Sequence, residues 1–206
     1  MEIMNQIENL KKIAKNKLAN NDPAHDFEHI MRVYRNAEKI CKTETGNKKL
    51  ILSAVLLHDI IKIKNRKNSA LKSARLSEKI LKQNYFSYSE IRIISDAIKD
   101  HSFSKCKTPS TIEGKILQDA DRLDAIGAIG LARVFSFSGS NNRPFYDPKD
   151  PFSKNRSVND KKWALDHFYE KLLRLEQKMN TKTGKLLAKK RTKILKDFLR
   201  EIKNEI

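Results

Sequence analysis

The chain has 206 residues, 39% of them apolar, with only six glycines, five prolines and a formal charge of +18. That length suits one domain with a proper core, and the composition excludes a disordered or collagen-like chain. Two cysteines far apart in sequence, Cys41 and Cys106, argue against a disulfide framework; neither forms the CxxC pair of a thiolate zinc or redox site, and both suit a reducing compartment.

In chain order, Ile3, Met4, Ile7, Leu10, Ile13 and Leu18 are spaced as the stripe of an amphipathic helix over residues 2–18. Glu2 and Glu8 interrupt any hydrophobic run, so this stretch does not read as a signal peptide. No segment reaches the roughly 18 apolar residues that span a bilayer, so a cytoplasmic protein without a membrane partner is expected. "ANNDP" ends the first helix; Asp22 with Pro23, or Asp26, can cap a second that runs to about Thr43. Its inward stripe is Ile30, Val33, Ala37, Ile40 and Cys41, and His29 lies within about 40° of Val33, at or along the core. "ETGNKK" is a turn with Gly46 as the stop signal.

"LILSAVLLHDIIKI" (residues 50–63) is apolar nearly all round and predicts a central buried helix. Helical patterns follow over about 69–83 and 89–100. Residues 112–139 read as a long apolar helix pair or one bent helix. Residues 140–160 carry three of the five prolines and read as an extended, mobile loop or lid. Its rings Phe145, Tyr146 and Phe152, with Arg143 nearby, suit either closure over a base or sugar or anchoring in the core. From 161 to 206 apolar and charged residues alternate at helical spacing, broken by "NTKTGK" near Gly184. No convincing run of strands is visible. The expected fold is all-α, a single domain over 1–206, with residues 20–139 carrying the site helices and 161–206 the C-terminal ones.

The positive charge admits a solvated lysine-rich surface, attraction of a phosphate-bearing small substrate, or nucleic-acid binding. The spread of lysines from Lys11 to Lys203 favours the first.

Chemistry is suggested by ionisable groups on apolar helices. His58 and Asp59 close the run "LILSAVLL", where an unpaired buried carboxylate would cost several kcal/mol. Asp121 lies between Leu117 and Ala125 on one helix face; Asp124 shares that face and Asp119 points elsewhere. Ordinary alternatives are emergence of the buried helix into solvent at His58 and Asp59, and ion pairing of the later acids with Arg122 or Arg133. If His29, His58, Asp59 and Asp121 converge, they form a nitrogen and oxygen cage for one divalent ion: Mn²⁺, Fe²⁺, Co²⁺, Zn²⁺ or, less well, Mg²⁺.

This "H…HD…D" order resembles the signature of the HD-domain metal-dependent phosphohydrolase superfamily. "AHDFEHIMRVYRNA", "AVLLHDI", "HSFS", "TIEGKILQDADRLDAIGAIGLARVF" and "HFYEKLLRL" extend the likeness to a bacterial subfamily that includes nucleoside-triphosphate pyrophosphohydrolases. The resemblance implies a helical HD-type fold with a divalent ion, Mn²⁺ favoured, held by His29, His58, Asp59 and Asp121. It leaves His25 beside the ligands or at the site mouth. Only His101 and His167 remain for further metal motifs, which favours a single ion, and Ile61 stands where the "HDxGK" of some relatives has glycine.

Hydrolysis of a phosphate ester or anhydride of a small phosphorylated molecule, a nucleotide first, is therefore expected. His101 is the candidate catalytic acid or base. Arg32, Lys62 and Arg122 are candidate phosphate contacts, each with a structural alternative, and His167 reads as packing. The competing class is a basic helical nucleic-acid-binding protein whose metal is structural or lost.

Overall fold

The computed structural model describes residues 2–19, 26–61, 68–101 and 108–206, residues 2–4 as backbone alone. Lys62, His25 and Cys106 lie outside the described residues. The described chain is all-α: α1 (Glu2–Leu18), α2 (Phe27–Ile40), α3 (Lys48–Leu57), α4 (Ser69–Gln83), α5 (Tyr88–Asp100), α6 (Ile112–Asp124), α7 (Gly127–Ser140), α8 (Asp166–Glu170), two single 3₁₀ turns, and α9 (Lys182–Glu205). No described helix is long and apolar enough to cross a membrane. Packing divides the chain into two compact units, residues 1–121 and 122–206.

In the first unit, α3 is the axis. Every residue from Leu50 to Leu57 is buried, and α1, α2, α4 and α5 all pack on it. A helix with no polar face is stable only when neighbours cover it on all sides, as they do here. Caps set the helix starts. Asp26 accepts the His29 amide at 2.8 Å, and Asn47 accepts that of Leu50 at 3.3 Å. Ser87 and Glu90 close a reciprocal capping box at α5, and Thr111 accepts the Gly114 amide at 3.1 Å. Polar ties seat α6. Buried Asn36 on α2 donates to the Ala120 carbonyl at 3.0 Å, and Gln118 reaches the carbonyls of Asp100 and His101, both at 3.3 Å.

In the second unit α7 packs on α9 around a cluster of phenyl rings. Phe135 meets Phe145 edge-on at 4.9 Å between centroids and Phe198 at 5.6 Å, and Phe168 stacks on Phe198 at 5.7 Å. The segment 140–160 is tied down. Pro144 and Phe145 carbonyls accept the amides of Ala164 and Leu165, and Arg156 forks onto buried Asp166 at 2.6 and 2.8 Å. Ser153 and the Asn159 amide bind the same carboxylate. Phe145 is thus anchored on Phe135, although half its surface stays exposed.

Several expected boundaries move. The second helix ends at Ile40, not Thr43, and Gly46 lies beyond its end. The third stops at Leu57 with His58 as its cap instead of running to 63; Ile60 is buried as a turn residue. Residues 112–139 are two helices, the second opening on Gly127 at φ +81°. The break expected at "NTKTGK" falls at Asn180 and Thr181: Thr181 caps α9, and its hydroxyl accepts the Gly184 amide at 2.9 Å inside the first turn. Ahead of it the chain is irregular as well, in the short α8 and the 3₁₀ turns of 172–178.

Burial alone would raise the Asp166 carboxyl, but Arg156, Asn159 and Ser153 together hold it below its ordinary value. Its stabilisation is therefore present above the unfolded value near 3.8 and lost as pH falls through the lower folded value. Asp166→Asn, measured by urea unfolding at pH 7, is expected to cost about 3 kcal/mol and to flatten the acid limb of the stability curve. Gly130 gives a steric counterpart. A Cβ there would sit 2.2 Å from the Ala125 carbonyl oxygen, whereas one at Gly139 meets nothing. Gly130→Ala should lower Tm, while Gly139→Ala should leave it unchanged or raise it by up to about 1 kcal/mol of stability.

Candidate metal centre

Three histidines and two aspartates from α2, the end of α3, the end of α5 and α6 converge within the first unit. The ring of His29 lies 5.5 Å from that of His58, which lies 5.0 Å from that of His101. His29 is placed by the first turn of α2, where its own amide is the one Asp26 caps. Its Nε2 is 3.6 Å from Asp121 Oδ1. Asp121 is on α6, one residue past the Ala120 carbonyl that Asn36 holds.

His58 and His101 occupy equivalent positions, each capping a helix C-terminus. His58 Nδ1 lies 2.7 Å from the Val55 carbonyl and His101 Nδ1 2.5 Å from the Ile98 carbonyl, three residues back in each case. A carbonyl only accepts, so both Nδ1 atoms carry the proton, and both rings present Nε2 as a bare lone pair. His58 Nε2 is 4.0 Å from Asp59 Oδ2 and 4.0 Å from Asp121 Oδ1. His101 Nε2 is 3.9 Å from Asp59 Oδ1.

These separations exceed the 2.7–3.2 Å or so of a hydrogen bond. They lie between the spacings of about 3.0 and 4.2 Å at which two ligands about 2.1 Å from a common cation stand when at right angles or opposed. His58 supplies the decisive test of fit. Its ring is entirely buried and Nε2 has no hydrogen-bond partner. Leaving a buried imidazole lone pair unsatisfied costs on the order of 1–3 kcal/mol, which a cation among the carboxylates would recover. Mixed imidazole and carboxylate donors suit Mn²⁺, Fe²⁺, Co²⁺ or Zn²⁺ better than an all-oxygen cation.

Two donor triads can be drawn, His29–His58–Asp121 and His58–Asp59–His101, and they share His58. One Nε2 lone pair serves one ion, so the overlap favours a single cation. The sequence-derived quartet is therefore spread over both triads, and His101 stands beside Asp59 as a fifth member. Carboxylate exposure is moderate, 28% for Asp59 and 31% for Asp121, so one side of the cluster is open to solvent.

The other candidates are placed as follows. Arg32 is half-buried on α2. Arg122 is buried and its guanidinium donates to the Lys178 carbonyl. Asp124 pairs with Arg133 at 2.8 Å, one of the ordinary fates expected for these acids. His167 Nδ1 pairs with Asp160 at 3.0 Å. The sequence reading missed Asn36 and Gln118, the residues that hold α6 in place; their signal was a polar side chain at a position facing the core.

The HD-domain family model matches residues 26–126. The chain is 32% identical over 210 residues to the uncharacterized protein YpgQ of Bacillus subtilis (strain 168), covering 100% of this chain and 96% of that one. The crystal structure of Bacillus subtilis YpgQ in complex with ADP matches with a TM-score of 0.81 at 31% identity, covering 100% of this chain and 97% of that one. The crystal structure of an HD-superfamily hydrolase from Bacillus thuringiensis matches with a TM-score of 0.79 at 32% identity, covering 98% and 97%.

Burial holds the His58 imidazole below its ordinary value of 6.5, with Asp59 opposing and His101 adding to the effect. A depressed histidine stays neutral in the fold while the unfolded chain takes up a proton below about pH 6.5, so this contribution to stability falls as pH falls. Added Mn²⁺ at about 100 times its Kd should stabilise the protein by about 2.7 kcal/mol at pH 7.5, read as a rise in Tm. His58→Gln should abolish that rise. In the wild type the rise should persist at pH 6.5 and vanish on further acidification, because protons and metal compete for Nε2.

Proposed function

The chain belongs to the HD-domain family, and from that premise we propose that it is a divalent-metal-dependent phosphohydrolase of nucleotides, similar in reaction to the nucleoside-triphosphate pyrophosphohydrolases. One observation carries this reading: the fully buried Nε2 of His58, without a partner and 4.0 Å from two carboxylates. The ADP in the crystal of a relative that is 31% identical supports a nucleotide as substrate.

His29, His58, Asp59 and Asp121 are assigned to hold one ion, Mn²⁺ first. When bound, such an ion supplies Lewis-acid polarisation of a phosphoryl oxygen and acidifies the attacking water. The remaining work falls to the chain. Val55 fixes the His58 ring so that Nε2 cannot turn away. Ile98 does the same for His101, whose Nε2 is left to move a proton between water and the leaving oxygen at the solvent-open side of Asp59. Arg32 and Lys62 are assigned to bind phosphate. Arg122 is engaged by the Lys178 carbonyl and ranks behind them.

A screen of Mn²⁺, Co²⁺, Zn²⁺ and Mg²⁺ against nucleoside mono-, di- and triphosphates tests the proposal, with pyrophosphate and phosphate measured separately. Mn²⁺-dependent release of pyrophosphate from a triphosphate is expected. Asp59→Ala and Asp121→Ala should each lower kcat/KM at least about 100-fold, as loss of a ligand exceeds the effect of losing its support. His101→Asn should lower kcat about 10²–10⁴-fold while leaving the Mn²⁺-induced rise in Tm in place. Absence of turnover with every metal and nucleotide would sink the reading.

A further inference from the structure

Helix α9 carries its cations in a pattern that the hydrolase reading does not use. Lys185, Lys189, Lys193, Lys196 and Arg200 recur at intervals of three and four residues, and all are exposed. Lys182 and Lys203 extend the row by one step at each end and are also exposed. At about 100° per residue the whole row falls within an arc of about 80°, and at about 1.5 Å per residue it is about 32 Å long. It therefore presents one cation per about 5 Å along a straight rod.

Two features make this row more than a solvated face. From Lys182 to Lys196 the helix contains no acid, so successive members meet like charges where a surface helix ordinarily alternates signs. Acids enter only from Asp197 onward: Asp197 pairs with Lys193 and Arg200, Glu201 also pairs with Arg200, and Glu205 closes the helix. In addition, Lys182 and Lys185 occupy the first turn, where the helix dipole is positive and no acid compensates it. Both arrangements cost the free protein stability, and both are relieved by a long anion laid along the helix.

The occupant is set by what the rest of α9 does. Gly184, Ala188, Thr192 and Leu195 are buried on an adjoining arc, and α9 packs on α7. That apolar side is already used. Insertion into a lipid surface needs an apolar face beside the cations, and the remaining flank mixes exposed Leu186 and Ile194 with Asp197 and Glu201. We propose that the row on α9 is a docking surface for the phosphate backbone of a double-stranded nucleic acid, bound through charge and without base readout. This activity is independent of the metal centre.

The test is fluorescence anisotropy of the full chain with mixed-sequence duplex DNA and duplex RNA of about 24 base pairs, titrated across NaCl concentrations. Engagement of about five phosphates gives a slope of log K against log[salt] of about −4.5. Lys185→Glu/Lys189→Glu/Lys196→Glu should lose at least about 3 units of slope and weaken binding in about 50 mM salt at least 10-fold, with the Mn²⁺-induced rise in Tm unchanged. The neutral triple variant to Gln is the substitute if the Glu variant does not fold, and should lose about 3 units of slope.

A second charge reversal, Lys72→Glu/Lys79→Glu/Lys82→Glu on α4, should leave the slope nearly as in the wild type. An equal effect there would overturn the assignment to α9 in favour of net charge. Absence of duplex binding by the wild type at low salt would overturn it as well. So would sedimentation with phosphatidylserine vesicles in a protein indifferent to both duplexes.

Discussion

A backbone carbonyl three residues back, holding the Nδ1 proton of a helix-capping histidine, is the interaction on which the centre depends. It occurs twice, from Val55 to His58 and from Ile98 to His101. In each case a carbonyl at a helix end, which the helix itself leaves without an intrahelical partner, is put to use fixing a tautomer. The two helices that end in this way pack against each other, so their terminal rings meet at 5.0 Å. Secondary-structure termination and orientation of the two imidazoles are here the same event.

Around this pair the fold supplies two further arms. Helix α2 enters with His29 in its first turn, and α6 brings Asp121 alongside. The bond from Asn36 to the Ala120 carbonyl, made next to Asp121 in sequence, sets the register between those helices. Gln118 ties the same helix to the end of α5, where His101 sits. The candidate residues on α2, α5 and α6 are thus positioned by a polar contact between helices as well as by apolar packing. Apolar packing alone tolerates sliding, whereas a directional hydrogen bond in a buried setting does not.

Much of this was readable in the sequence because the periodicity of α1, α2, α4 and α5 is strong and the Asp26 cap of α2 is explicit. His29 was placed at the core by its angle to Val33, and it is buried. The four-residue constellation stood out because His58, Asp59 and Asp121 interrupt apolar runs. The end of α3 was not readable. Apolar residues resume at Ile60 after His58 and Asp59, and apolarity encodes burial of Ile60 in a turn as well as it would in a helix. The break at "NTKTGK" was readable, and the Thr181 hydroxyl bond to the Gly184 amide makes it a helix start. The rings near Phe145 left lid and anchor open, and contact of Phe145 with Phe135 on α7 favours the anchor. The grouping of His101 with Asp59 depends on how α3 and α5 cross, which no local pattern encodes.

The complete burial of the His58 ring has a bearing on ion loading. Stripping water from an imidazole is unfavourable, and here the folding of α3 against its neighbours does it before any cation arrives. An incoming ion therefore meets one imidazole donor already dry and aimed, beside carboxylates that are still open to water. The selectivity of such a preorganised seat would rest on how readily each metal gives up its waters: Mg²⁺, which dehydrates reluctantly, would be handicapped against softer divalent ions even where it is far more abundant.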